Sequence, residues 1–568
     1  MIRTNRKFFA AASAAILGLT VLAGCSNGSS APPPSSTAVT GQPLIIVDNV
    51  GKTFTRTFNP YDQTSFSSAM NMQDLTYEPL LMFNMMNPAQ APIPWLASAY
   101  NWSDGGKTLT FTVRSGVQWS DGKPLTGADV AFTFNLLKHN PAMQSTAPGP
   151  TPLPVSATYS GEKATLTFSA PEFANLFLIA STYILPKHLW SSVRDPAAYA
   201  DPDPVGTGPY VLSSFSTQQV TLTANPKYWQ AGLVHVPEVV FPNYESNTTS
   251  NPALEDGQID YAGNFVTNVA PSYLDVSSTN HTWTFSPPYF ADTNVVGLYL
   301  NVTVPPLNDP KVRQAISYGI NRQALSNDGE AGYEPAASSS GGLNLPTDAS
   351  LLDRAYANDL PSAGDAAKVS QILTRDGYTL ADGHWAKNGQ PIKFSIEDPS
   401  DYTDYATDGQ LIASELNTLG FEVSFEGVQD AKWYADYPVG HFDSMIHWGA
   451  QGPNPIYYFE NWLDYSQSGP VGKSAGSDWE RFYSPAAQAA LTRFEGTDDP
   501  ATQQQALNTL QGILSAQAPV IPLVYGAAWY EYSTKKYTGW PTQSDQYTNP
   551  APNAPYLEYT LLHLTPAS

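Results

Sequence analysis

Residues 472–476, Gly-Lys-Ser-Ala-Gly, fit the G-x-S-x-G pattern that puts a nucleophilic serine on a strand-to-helix turn. Acyl transfer there needs a core strand before the serine and a helix after it. Here the run 465–471 (YSQSGPV) precedes the pattern and 477–479 (SDW) follows, so the context is a polar loop and no nucleophile is expected. The same glycine, lysine and serine would close a phosphate loop only with a glycine at 467, where Gln467 stands. Gly206-Thr207-Gly208 runs into Pro209-Tyr210 and a strand pattern, so it opens no dinucleotide loop. The eight histidines show no H-E-x-x-H or Cys/His spacing for zinc. His441 and His447, six residues apart, leave binding of a nickel complex open. The 50 acidic residues offer many carboxylates, but nothing singles out a pair for glycoside hydrolysis. These motifs point to no catalytic residue and no cofactor.

One reactive group is left, a lone thiol. Cys25 is the only cysteine in 568 residues, so no disulfide partner exists. Arg3, Arg6 and Lys7 precede an uncharged, mostly apolar run over 8–24, and small polar residues and prolines follow, the layout of a secretory signal. Leu22-Ala23-Gly24-Cys25 resembles the lipobox of bacterial lipoproteins. That resemblance implies removal of residues 1–24 and acylation of Cys25. The alternatives are a membrane span, for which ~20 apolar residues are needed, and an ordinary cleaved signal with an incidental cysteine. Several acyl chains anchor a protein stably where a single chain does not. Residues 25–41 then form the lipidated cysteine and a flexible Ser/Gly/Pro leash. The expected location is extracytoplasmic, at the cell surface or in the periplasm, with the membrane reached through lipid only.

Loss of the leader takes the 27 basic residues down by three to 24 against 50 acidic, a mature net charge of −26. That disfavours a nucleic-acid partner, which needs a basic footprint, and adsorption to anionic lipid. Charged residues make up 14% and aromatic residues 12%, so the chain has ample apolar material for a core. Its length suits three to four domain-sized units, and no later apolar run approaches a membrane span.

Mixed α and β signals follow without an internal repeat. The stretch 107–114 (KTLTFTVR) alternates as a strand does. Thr126, with Asp129 three residues on, opens a helix. Asp309 and Pro310 cap and start another. Gly377 and Gly420 stop two further helices, each passing into a strand, which indicates an α/β lobe in the second half. The 49 prolines suggest long irregular connections.

Five collinear blocks, at 57–62 (TFNPYD), 76–84 (TYEPLLMFN), 95–134, 298–325 and 518–526 (APVIPLVYG), together with 205–229 (VGTGPYVLSSF through NPKYW), resemble the family 5 extracellular solute-binding proteins of bacterial ABC importers. The resemblance implies an α/β, two-lobed periplasmic-binding-protein-like fold with an extra inserted subdomain and a hinge. Lobe I takes 42–75, 186–290 and 520–568, the insertion takes 76–185, and lobe II takes 291–519, with crossings near 287–297 and 516–525. It also implies a monomer without enzymatic activity or cofactor. Such a protein captures a small-molecule ligand, an oligosaccharide or oligopeptide, between its lobes and delivers it to ABC permease subunits. Ligand presentation to a sensor and secreted hydrolysis are the alternatives.

The segment 442–464 resembles the one that lines the cleft in this family. The oligopeptide binders carry an aspartate three positions after its tryptophan, paired with the peptide ammonium. Here Trp448 is followed by Gln451, whose neutral amide suits hydroxyls and leaves an ammonium without a counter-charge. The stretch 537–552 resembles the oligosaccharide-binding branch, and aromatic platforms with amides suit neutral sugars. Short oligosaccharide is therefore favoured slightly over oligopeptide. The candidate ligand contacts are Trp448, Gln451, Asn454, Trp462, Trp540 and, near the hinge, Tyr289.

Overall fold

The computed structural model describes residues 39–568 apart from 63, 89, 144–151, 346 and 451. Cys25, the signal segment and the leash up to residue 38 lie outside the described residues, as does Gln451. Three sheets of four or more strands organise the rest.

The first is seven-stranded. Its central strand, Leu44–Val47, runs parallel to Glu238–Pro242 on one side and to Tyr261–Ala262 on the other. An antiparallel meander of Tyr210–Phe215, Gln219–Ala224 and Glu238–Pro242 widens one edge. Glu531–Ser533 and Asn280–His281 close the other.

The four-stranded sheet of the insertion is wholly antiparallel, built from Ala97–Ser103, Thr108–Val113, Lys163–Thr167 and Ser156–Ser160. Burial alternates along Thr108–Val113 as the sequence predicts. Helix Gly127–His139 starts where Thr126 and Asp129 place it: Ala128 N donates to Thr126 Oγ1 and Thr126 N donates to Asp129, a reciprocal cap.

The second-lobe sheet has the order Glu422–Val428, Lys393–Pro399, Ser444–Trp448, Ala291–Leu300, Val520–Ala528. Its first three strands are parallel and its last two antiparallel. Helices Pro310–Gly319, Ala366–Arg375 and Thr403–Thr418 follow the expected signals, with Asp309 accepting from Lys311 N and both Gly377 and Gly420 at positive φ. The chain passes between the large sheets at 282–290 and again at 529–530. The return falls later than the expected 516–525, because residues 520–528 continue as one buried run that pairs along Ala291–Leu300. That strand lies at the sheet edge, where Pro522 forfeits no ladder bond.

The blocks that carry the family resemblance brace the first lobe. Glu78 is fully buried, and its Oε1 accepts from Trp95 Nε1 (2.8 Å), Tyr228 OH (3.0 Å) and Trp229 Nε1 (3.1 Å). Three sequence blocks thus converge on one carboxyl group. Gly206 and Gly208 pass so close to the same stretch that an added Cβ would sit 1.7 Å and 2.5 Å from the carbonyl oxygens of Thr76 and Leu75. The G-T-G run is a close backbone approach.

Candidate functional site

A cavity of about 440 Å³ opens at the carboxyl ends of parallel strands from both large sheets, where ligands of α/β sheets bind. Asp48, Asn49 and Val50 follow Leu44–Val47, and Gly263 and Phe265 follow Tyr261–Ala262. From the other side, Tyr402, Asp404 and Tyr405 follow Lys393–Pro399, and Trp448, Gly449 and Ala450 end Ser444–Trp448. Thr293 and Asn294 of strand Ala291–Leu300 and Trp529 of the return crossing complete the wall.

Aromatic faces are held by packing. The half-buried Trp448 has Trp433 at 6.2 Å and Tyr405 at 6.5 Å, the latter inclined by 34°. Trp529 meets Phe265 edge-on at 5.2 Å. The first-lobe side supplies amides. Asn71 Nδ2 donates to the carbonyls of Pro552 and Ala554, and its Oδ1 accepts from Gln73 Nε2. Gln73 Oε1 has no partner among the described residues.

Burial raises the pKa of both carboxyl groups of this wall. Burial, reinforced by Asp74, pushes the Asp48 pKa up to about 8, and Asp48 Oδ1 has no partner among the described residues. Burial raises Asp404 to about 6. Behind Asp404, the buried carboxyls of Glu330, Glu334 and Asp408 lie well above the ordinary range, through burial first and mutual repulsion second. No donor from outside the acidic cluster reaches either oxygen of Glu330 or Asp408 among the described residues.

Lys52 links the two sides. Its Nζ lies 3.2 Å from Asp430, donates to Tyr402 OH and sits 4.6 Å from the ring centre of Tyr434. Burial alone would depress this ammonium; Tyr434, Asp430 and Asp401 hold its pKa above the ordinary value.

Of the candidates read from the sequence, Trp448 lines the cavity. Asn454 stands two residues before helix Ile456–Leu463, its Oδ1 accepting from Ile456 N. Trp462 is fully buried, with Nε1 donating to Tyr299 OH, and Trp540 is buried against Tyr261 with Nε1 donating to Tyr537 O. Tyr289, at positive φ, packs on Tyr333. None of these four lines the cavity. His447 stacks on Trp433, and burial lowers its pKa to about 4; His441 is exposed, and the described residues contain no group of three metal-ligating side chains. Sequence reasoning missed Asp48, Lys52, Asp404 and Trp529. One signal was present for the first two, since residues 48–52 directly follow the first apolar strand.

Comparison with known proteins agrees with this architecture. The family described as bacterial extracellular solute-binding proteins, family 5 Middle, matches residues 91–470. The nickel-binding periplasmic protein of Escherichia coli is 26% identical over 406 residues, covering 69% of this chain and 73% of its own. The glutathione-binding protein GsiB of Salmonella paratyphi A is 26% identical over 453 residues, covering 76% and 80%. A periplasmic oligopeptide-binding protein of Thermotoga maritima, solved with mannohexaose bound, superposes with a TM-score of 0.82 at 24% identity, over 93% of this chain and 99% of that one. The chain belongs to the bacterial extracellular solute-binding proteins of family 5, and it is a binding protein and not an enzyme.

Proposed function

We propose that this protein captures a short oligosaccharide between its lobes and hands it to the permease of an ABC importer, while Cys25 tethers it to the outer face of the cytoplasmic membrane by lipid. The observation that carries the reading is the make-up of the cavity wall. Aromatic faces of Trp448, Tyr405 and Trp529 combine with the amides of Asn49 and Gln73. Sugar rings offer apolar C–H faces to the first set and hydroxyls to the second. The nearby cation Lys52 is already engaged by Asp430, and the high pKa of Asp48 keeps its carboxyl largely uncharged at neutral pH. The Thermotoga protein with mannohexaose has the same fold.

One observation favours a second reading, an oligopeptide whose ammonium meets Asp48, because Asp48 Oδ1 is buried and unpartnered among the described residues. Calorimetry separates the two. Neutral cello-, xylo- or manno-oligosaccharides should bind with affinity flat between pH 6 and 8.5. An ammonium ligand should instead tighten as pH rises toward the Asp48 pKa of about 8. Tripeptide binding with that slope, and no sugar binding, defeats the sugar reading.

A further inference from the structure

A second cavity, of about 260 Å³, adjoins the first, and Thr293 lines both. At ~30 Å³ per water it has room for roughly eight waters, enough for a ring-sized group. Its chemistry differs from that of the main cleft. Asp292 and Asp348 line it, and among the described lining residues there is no lysine, arginine or histidine.

The polar groups converge without being consumed. Asn344 is 3% exposed and its Nδ2 donates to the Asp292 carbonyl oxygen, which leaves Oδ1 buried with no partner among the described residues. Asp292 Oδ1 is likewise buried without a partner, and Asn344 N donates to Asp348 Oδ2. Trp283 and Tyr458 add ring surface, which attracts cations through its negative π face. The titratable groups around the cavity are Asp292 on its strand, Asp348 after Asn344 and Tyr458 on helix Ile456–Leu463; Asp292 in turn raises the pKa of Glu334, which accepts from Ala527 N. All are acidic or neutral.

We propose that this second cavity receives a protonated amine on the ligand unit next to the one held in the main cleft, so that the cargo is an oligosaccharide containing amino sugar. The proposal rests on the sugar reading of the main cleft. An amine supplies three donors to unpartnered oxygens, and its charge stabilises the ionised carboxylates. Burial raises Asp292 to about 7 and Asp348 to about 6 in the empty site, so arrival of the cation expels protons.

The test is calorimetry at pH 6.5 with two trisaccharides, cellotriose and the trimer of glucosamine, on wild type, Asp292→Asn and Asp348→Asn. The glucosamine trimer should bind at least tenfold more tightly than cellotriose and release protons that cellotriose does not. Each substitution should bring the ratio of the two affinities close to one. Equal affinities in the wild type overturn the amine cavity and leave the sugar reading intact. A preference that survives both substitutions overturns the location. If neither sugar binds but a lysine-containing tripeptide does, and Asp292→Asn weakens it, the amine cavity holds and the sugar reading falls. No binding of any of the three overturns both.

Discussion

Buried carboxyls in the two lobes have opposite surroundings. Glu78 in the first lobe is met by two indole N–H groups and a phenol. Glu330 and Asp408 in the second lobe are equally inaccessible and meet no described donor, only other acids. A satisfied carboxyl group is a structural rivet, because removing it strands its donors. An unsatisfied cluster is a cost the second lobe carries beside its ligand wall, as strained or unsatisfied groups near functional sites commonly are. The difference separates what builds this fold from what tunes its cleft.

The largest expected effect breaks the rivet. Glu78→Ala leaves three donors unpaired, two of them buried, and should lower unfolding free energy by about 4 kcal/mol, measured by denaturant titration. Glu78→Gln keeps one oxygen acceptor and should lose much less. If the two lose equally, the three contacts to Oε1 are not the source of the stability.

The next effect is on binding. Trp448→Ala removes a packed aromatic face from the cavity wall and should weaken the ligand by about 2 kcal/mol, roughly thirtyfold by calorimetry, with little change in melting temperature. A large fall in melting temperature without loss of affinity would move Trp448 from the cleft to the core.

Smaller, and opposite in sign to the first, is the relief of the acidic cluster. In the folded chain burial and the neighbouring acids raise the pKa of these carboxyls, whereas in the unfolded chain they ionise near pH 4. The folded state therefore binds more protons, and this contribution to stability is full below about pH 4 and declines as pH rises toward the raised values. Asp408→Asn should stabilise by about 1 kcal/mol at pH 8 and flatten the profile between pH 5 and 8. Destabilisation at pH 8 would mean that the cluster has a counter-charge.

The smallest effect concerns the bridge between the two sides. Lys52→Met removes a partly buried ion pair worth at most about 1 kcal/mol, and ligand affinity should fall about threefold. An unchanged affinity would mean that the pair is equally formed with and without ligand.

The legible and illegible parts of the sequence divide along the same line. Strand Thr108–Val113, the Thr126 cap and the Asp309-Pro310 start are local signals, and they appear where periodicity and capping chemistry place them. The blocks around Glu78, Trp95 and Tyr228 were recognisable because a shared brace constrains all three. The cleft was harder to read. Asp48 and Asp404 stand more than three hundred residues apart, and only the parallel sheets bring their strand ends together. Trp462 and Trp540 illustrate the converse, since each indole N–H finds an interior acceptor and the ring stays in the core. An aromatic-rich composition does not distinguish a ligand platform from such a residue. The later chain return has the same origin: residues 520–528 form one buried run whose pairing partner lies more than two hundred residues upstream.

The Lys52–Asp430 contact also has a consequence in time. Lys52 follows a first-lobe strand and Asp430 begins a second-lobe helix, so they meet only when the two sides are together. Under the proposed capture between the lobes, ligand entry requires the pair to part, and the pair reforms over the bound cargo. Such a contact contributes little to how fast cargo is caught and acts mainly on how long it is kept, the rate through which most affinity differences arise. Lys52→Met should accordingly leave the association rate in stopped-flow mixing unchanged and shorten the residence time of the cargo, so that a receptor with nearly native capture releases before it reaches its permease.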